Sequence, residues 1–169
     1  MARLATDERG MTLVEIIFAA AIIGVGLAAL AASIPIAAYG IHEGSHLSTA
    51  TFLATQRLEQ VRNARWEPGA TCLDTLGVSL DGDAPPSGTC PGAGGVTFPD
   101  ENPIAGAYAN FSRNVRIANC GLGAGCSGIV DPDLRQVRVT VTYRPMTGLG
   151  MSAAGTTKAA TVMLLVASR

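Results

Sequence analysis

Arg9-Gly10-Met11-Thr12-Leu13-Val14-Glu15 opens the stretch whose reading decides the architecture, because the 26 residues that follow, Ile16 to Ile41, contain no Asp, Glu, Lys or Arg. About 20 apolar residues suffice to cross a bilayer as a helix, so this run is long enough to span. One carboxylate, Glu15, stands at its start, and an ionisable group beside a membrane helix marks a functional site by default. The residues ahead, 1–10, are hydrophilic and carry Arg3, Asp7, Glu8 and Arg9. An ordinary secretory signal is cut after its apolar region. Here the polar leader ends at Gly10, before the apolar run, and a cut there would remove the leader and keep the helix.

That arrangement resembles the class III signal of type IV pilins and related pseudopilins. The resemblance rests on Gly10 as the last leader residue, a new N-terminus at Met11, Thr12-Leu13-Val14, and Glu15 as the fifth mature residue. It covers residues 9–40 closely and the remainder only by architecture. Met11 stands where many members carry Phe, at a position that tolerates other apolar residues. The resemblance implies that Gly10 precedes the bond cut by a membrane-embedded prepilin peptidase and that Met11 becomes an N-methylated terminus. It also implies that Glu15 pairs with the α-amine of a neighbouring subunit during filament assembly. Electrostatics supports that last role separately: a carboxylate among packed apolar helices must be paired or neutralised, since its desolvation costs several kcal/mol. The implied partners are other pilin subunits packed helix to helix, prepilin peptidase and inner-membrane assembly machinery.

Arg3 and Arg9 favour a cytoplasmic leader, because no Lys or Arg follows the apolar run until Arg57. The expectation is a single-pass inner-membrane protein whose C-terminal part lies outside the cytoplasm and later joins a pilus or pseudopilus filament, in the periplasm or at the cell surface. A formal charge of −1 supplies no basic patch, so nucleic acid is not expected as the main partner. Twenty Gly and nine Pro, mostly beyond residue 67, indicate a loop-rich globular part. Cys72, Cys90, Cys120 and Cys126 all follow the anchor, and an even count in an exported domain reads as two disulfides. Three pairings are open; Cys72–Cys90 and Cys120–Cys126 are favoured because each closes a local Gly-rich loop. A four-cysteine zinc site would want close pairs such as C-x₂-C, and the chain has none.

The boundaries expected are a cleaved leader (1–10), a membrane and filament-core helix (11–41), an amphipathic continuation (42–66) and a loop-rich β domain (67–169). Leu47, Ala50, Ala54, Leu58 and Val61 repeat at three- and four-residue steps, the period of one helix face, with Gln56, Arg57, Glu59, Gln60, Arg62 and Asn63 on the other positions. Trp66-Glu67-Pro68-Gly69 is a stop signal. A kink is expected near Pro35, and a break into two helices around Gly40–Ser45 is the alternative. Residues 67–110 read as an irregular connection stapled by Cys72 and Cys90. Val115 and Ile117 alternate with Arg113, Asn114, Arg116 and Ala118; Val137 to Tyr143 alternates with Arg138, Thr140, Thr142 and Arg144, a half-buried strand. Thr161 to Ala167 is a continuous apolar run consistent with a strand buried on both sides or covered by the helix, linked to the previous one by a loose loop over 146–157. A small antiparallel sheet on the C-terminal half of a long helix follows, an α+β fold of the pilin type.

His42-Glu43-Gly44-Ser45-His46 spells H-E-x-x-H, which in metalloproteases places two zinc ligands and a general base on one helix face. The chain has no third His, Glu59 would lie about 25 Å along the helix, and Gly44 weakens the helix that would hold the ligands. A solvated helix is the expected reading, with no metal and no cofactor. Asp81-Gly82-Asp83 and Asp131-Pro132-Asp133 offer oxygen ligands for calcium, yet lack a regular loop spacing and suit turns equally. No G-x-S-x-G elbow positions a nucleophile. The chain reads as a structural filament subunit, a minor pilin or pseudopilin, and not as an enzyme. The alternatives are a major pilin, or an anchored exported binding module that never polymerises.

Overall fold

The computed structural model describes residues 11–66, 74–88, 95–145 and 155–168. The chain divides into two compact units, Met1–Ile41 and His42–Arg169. One helix, α1 (Leu13–Arg62), supplies the whole described secondary structure of the first unit and the opening element of the second. It runs without a break through Pro35 and through residues 40–45, so the two-helix alternative fails. Proline removes one ladder donor at that point, and the Ser33 hydroxyl nearby donates to the Leu30 carbonyl oxygen at 2.7 Å.

In the first unit no described side chain is buried, and Leu13, Ile16, Phe18, Ile22, Leu27, Leu30 and Ile34 are largely exposed. Within this unit an apolar surface of this extent finds no cover among the described residues. By length and composition α1 is able to cross a membrane.

In the second unit α1 packs on a three-stranded antiparallel sheet of order β1-β2-β3, where β1 is Phe111–Asn119, β2 is Leu134–Tyr143 and β3 is Lys158–Ala167. This is the expected α+β, pilin-like arrangement. Ala50, Leu53, Ala54, Leu58 and Val61 meet Val115, Ile117, Val137, Val139 and Val141 in one core, joined by Trp66 and Leu76. The sheet residues alternate inward and outward because strand side chains change face at every step.

Four expectations need correction. Leu47 is exposed and Leu53 takes its place in the core. Ala50, Ala54, Leu58 and Val61 are buried as the spacing predicts, but the face turned to the sheet continues through His46 and Glu43 and not through Leu47. Second, Arg113 and Arg135 point inward, buried at strand ends, where each finds a carboxylate. Third, β3 is covered on one face only: Ala159, Thr161, Met163, Leu165 and Ala167 are exposed while Ala160 and Val166 are buried. It is an edge strand whose inner face joins the core beneath α1, so cover from the helix holds and burial on both sides does not. Fourth, the 67–110 region is not merely a stapled loop. Leu76 lies in the core, Ser87 bridges to both Val78 and Val96, and Glu101 bridges to Arg113.

Candidate processing and assembly site

Met11 and Thr12 precede the first turn of α1 and are exposed. The Thr12 hydroxyl oxygen accepts from the Glu15 backbone N–H at 3.3 Å, and its carbonyl accepts from the Ile16 N–H at 3.3 Å. Thr12 is therefore the N-cap and satisfies one of the donors that every helix start leaves open. Thr12-Leu13-Val14-Glu15 is also the T-x-x-E pattern that announces a helix start before an apolar run, a signal that could have fixed the first turn from sequence. Glu15 is the acidic residue of that turn, where the amide dipoles favour negative charge. Its carboxylate is exposed and makes no ion pair among the described residues. Gly10 lies outside the described residues, as do Cys72 and Cys90 with their expected bridge.

The H-E-x-x-H stretch is solvated only in part: His42, Gly44 and Ser45 are exposed as expected, while Glu43 and His46 are half-buried. Glu43 Oε1 accepts from the Tyr143 hydroxyl at 2.7 Å and pairs with Lys158 Nζ at 2.9 Å. The Lys158 hydrogen bond, helped by Tyr143 and opposed by burial, holds the Glu43 carboxyl below its ordinary value. His46 sets its ring edgewise against Phe111 and Tyr143, with centroids 5.9 and 5.7 Å away. These side chains tie α1 to the end of β2 and the start of β3. Among the described residues no three His, Cys, Asp or Glu side chains gather as a metal-binding group. The two aspartate motifs act as turn formers: Asp81 Oδ1 accepts from the N–H groups of Asp83 and Ala84 at 2.9 and 2.7 Å, and Asp131 Oδ1 from that of Asp133 at 2.8 Å.

Two ionic clusters inside the second unit were not anticipated. Arg135 grips Asp74 through two hydrogen bonds of 2.8 Å and stacks its guanidinium 4.2 Å from the Trp66 ring centre. Asp74 Oδ1 also accepts from the N–H groups of Leu76 and Gly77. Burial raises the Asp74 pKa, but the Arg135 bonds and these two amides outweigh it and leave it lowered. Glu101 lies between Arg57 and Arg113, and Arg113 reaches across to the Leu53 carbonyl oxygen at 3.1 Å. Cys120 and Cys126 form a disulfide that closes the turn between β1 and β2.

No curated protein and no solved structure matches the chain. Residues 6–31 match the prokaryotic N-terminal methylation motif, the segment that contains Gly10, Met11, Thr12 and Glu15. Together with an apolar helix that fits membrane anchoring and an α+β second unit, this match supports a type IV pilin-like protein, with prepilin peptidase and pilin subunits suggested as its partners.

Proposed function

We propose that the chain is a structural subunit of a type IV pilus-like filament, a minor pilin or pseudopilin, with no catalytic role. The observation that carries the reading is the methylation motif over residues 6–31, joined to a helix long and apolar enough to cross a membrane. Prepilin peptidase cuts after Gly10 and methylates Met11. Residues 11–41 hold the subunit in the inner membrane with the exported unit outside the cytoplasm, and then pack among the helices of other subunits. Removing this surface from lipid into a helix bundle satisfies it in both states, so assembly moves an anchor between two apolar environments.

Glu15 supplies the register. In a bundle of apolar helices its carboxylate needs a cation, and the α-amine created at Met11 of a neighbour is that cation. Thr12 fixes the first turn, so the carboxylate leaves the helix at a defined height. The experiment is Glu15→Ala in cells that make filaments. Membrane insertion and cleavage should persist, while the amount of this chain in sheared filaments falls at least tenfold. Normal incorporation refutes the pairing role. Quantitative mass spectrometry of the same preparations should find this chain scarce beside a more abundant pilin; dominance would make it the major pilin instead. Absence from filaments despite normal processing would favour the anchored binding module.

A further inference from the structure

Asn110-Phe111-Ser112 is an N-x-S triplet, the acceptor pattern for N-linked glycans on exported chains. Of the five asparagines in the chain, only Asn110 has a hydroxyl two residues on with no proline between. The others read Asn63-Ala64-Arg65, Asn102-Pro103-Ile104, Asn114-Val115-Arg116 and Asn119-Cys120-Gly121. Asn110 occupies the turn that joins a short 3₁₀ helix (Gly106–Tyr108) to β1, and it is exposed. Its amide makes no hydrogen bond among the described residues, so attachment there breaks no contact that holds the fold.

The surroundings of that amide supply a second observation. A cleft of about 750 Å³ opens beside it, and its lining includes Asn102, Ser112, Asn114, Thr142 and Arg144. Ser112 stands directly opposite Thr142 across the β1–β2 pair. The two carboxylates at the cleft are already engaged, Asp100 by Arg116 and Glu101 by Arg113. What remains is amide, hydroxyl and one exposed guanidinium. The side chains of Asn114, Thr142 and Arg144 have no hydrogen-bond partner among the described residues. Amides and hydroxyls both donate and accept, which matches the hydroxyls of a sugar. A concave surface with a few free polar groups is what fixes the orientation of a bound ligand.

We infer that Asn110 carries an N-linked oligosaccharide whose first sugars lie in this cleft. Its Nδ2 attacks the anomeric carbon of a lipid-pyrophosphate oligosaccharide donor. The N–C bond forms, the C–O bond to pyrophosphate breaks with its electron pair leaving on the lipid pyrophosphate, and Nδ2 gives up one proton. A membrane oligosaccharyltransferase recognises the Ser112 hydroxyl. In the folded chain that hydroxyl donates to Asn102 Oδ1 at 2.7 Å and Phe111 is buried, so transfer precedes the docking of β1. Transfer also requires the second unit outside the cytoplasm, as proposed above, because the donor sugar faces that side of the membrane.

Mass spectrometry of the chain from its native cells is the test. The peptide containing Asn110 should carry a saccharide mass increment that fragmentation places on Asn110. Asn110→Gln and Ser112→Ala should each lower the modified fraction at least tenfold, whereas Ser112→Thr keeps the hydroxyl and should retain it. A bare Asn110, or an increment that survives Ser112→Ala, would overturn the inference. A glycan seated in the cleft should slow labelling of Arg144 by a dicarbonyl reagent at least threefold relative to Asn110→Gln; equal labelling would overturn the seating. The N-terminus is read in the same sample. A chain cut after Gly10 with a bare Asn110 sinks the glycan alone, while a chain that keeps residues 1–10 sinks the filament reading, and a glycan found on Asn110 of such a chain would still stand.

Discussion

Asp74→Ala is the most demanding test of how the second unit is held together. The substitution leaves the Arg135 guanidinium, 5% exposed, facing an empty site where a fully buried carboxylate stood. Removing one partner of a buried ion pair typically costs about 3–5 kcal/mol, because the remaining charge keeps its desolvation without compensation. The lost acceptor for the Leu76 and Gly77 amides adds to this. For a unit of this size the loss corresponds to a fall in Tm of roughly 10–20 °C. Trp66 is the sole tryptophan and lies under Arg135, so thermal unfolding of the purified chain followed by tryptophan fluorescence reads the site directly. Arg135→Met keeps contact with the Trp66 ring and removes the charge. Combined with Asp74→Ala it should restore part of the stability lost in the single variant, since an apolar replacement of both partners can be nearly neutral. The sign with pH follows from the lowered Asp74 pKa: the pair contributes fully above the ordinary carboxylate value of 3.8 and is lost as pH falls through the lower folded value. A cost below about 1 kcal/mol for Asp74→Ala, or strictly additive losses in the double variant, would refute the reasoning.

Replacing Cys120 and Cys126 together by Ser should cost about 2 kcal/mol, the loop-entropy value for so short a closure, measured by denaturant unfolding; peptide mapping without reductant should also return Cys72–Cys90 as the second bridge. Glu43→Gln should cost about 1 kcal/mol at neutral pH through weakened bonds from Lys158 and Tyr143. That difference should persist above the ordinary Glu value of 4.5 and shrink as pH falls through the lowered folded value, since protonated Glu43 loses the same charge-assisted bonds.

The long helix and the three strands were legible because each rests on a periodicity: an uncharged run, a three-and-four spacing, and clean alternation from Val137 to Tyr143. What escaped was polar. Arg57, Arg113 and Arg135 lie on core-facing positions, and a periodicity rule assigns such residues to solvent unless their carboxylate partners are known. Those partners, Glu101 and Asp74, sit in a stretch without periodicity, so no local signal linked them. The Cys120–Cys126 closure was readable from spacing within a Gly-rich turn. For β3 two readings stayed open, because composition reports what a strand tolerates, not how many neighbours it has. At the N-terminus Gly10, Thr12 and Glu15 stand in register along the chain, and that spacing is enough to suggest the processing site; the fold adds only the capping role of Thr12.

The central claim is that this chain is processed as a pilin and keeps its apolar helix. Mass spectrometry of the N-terminal peptide from cells containing prepilin peptidase tests it most directly. The account predicts a mature chain that starts at Met11 and carries one added methyl group on its α-amine. A chain that retains residues 1–10 in those cells, or one cut beyond Ile41 so that the apolar helix is lost, would contradict it.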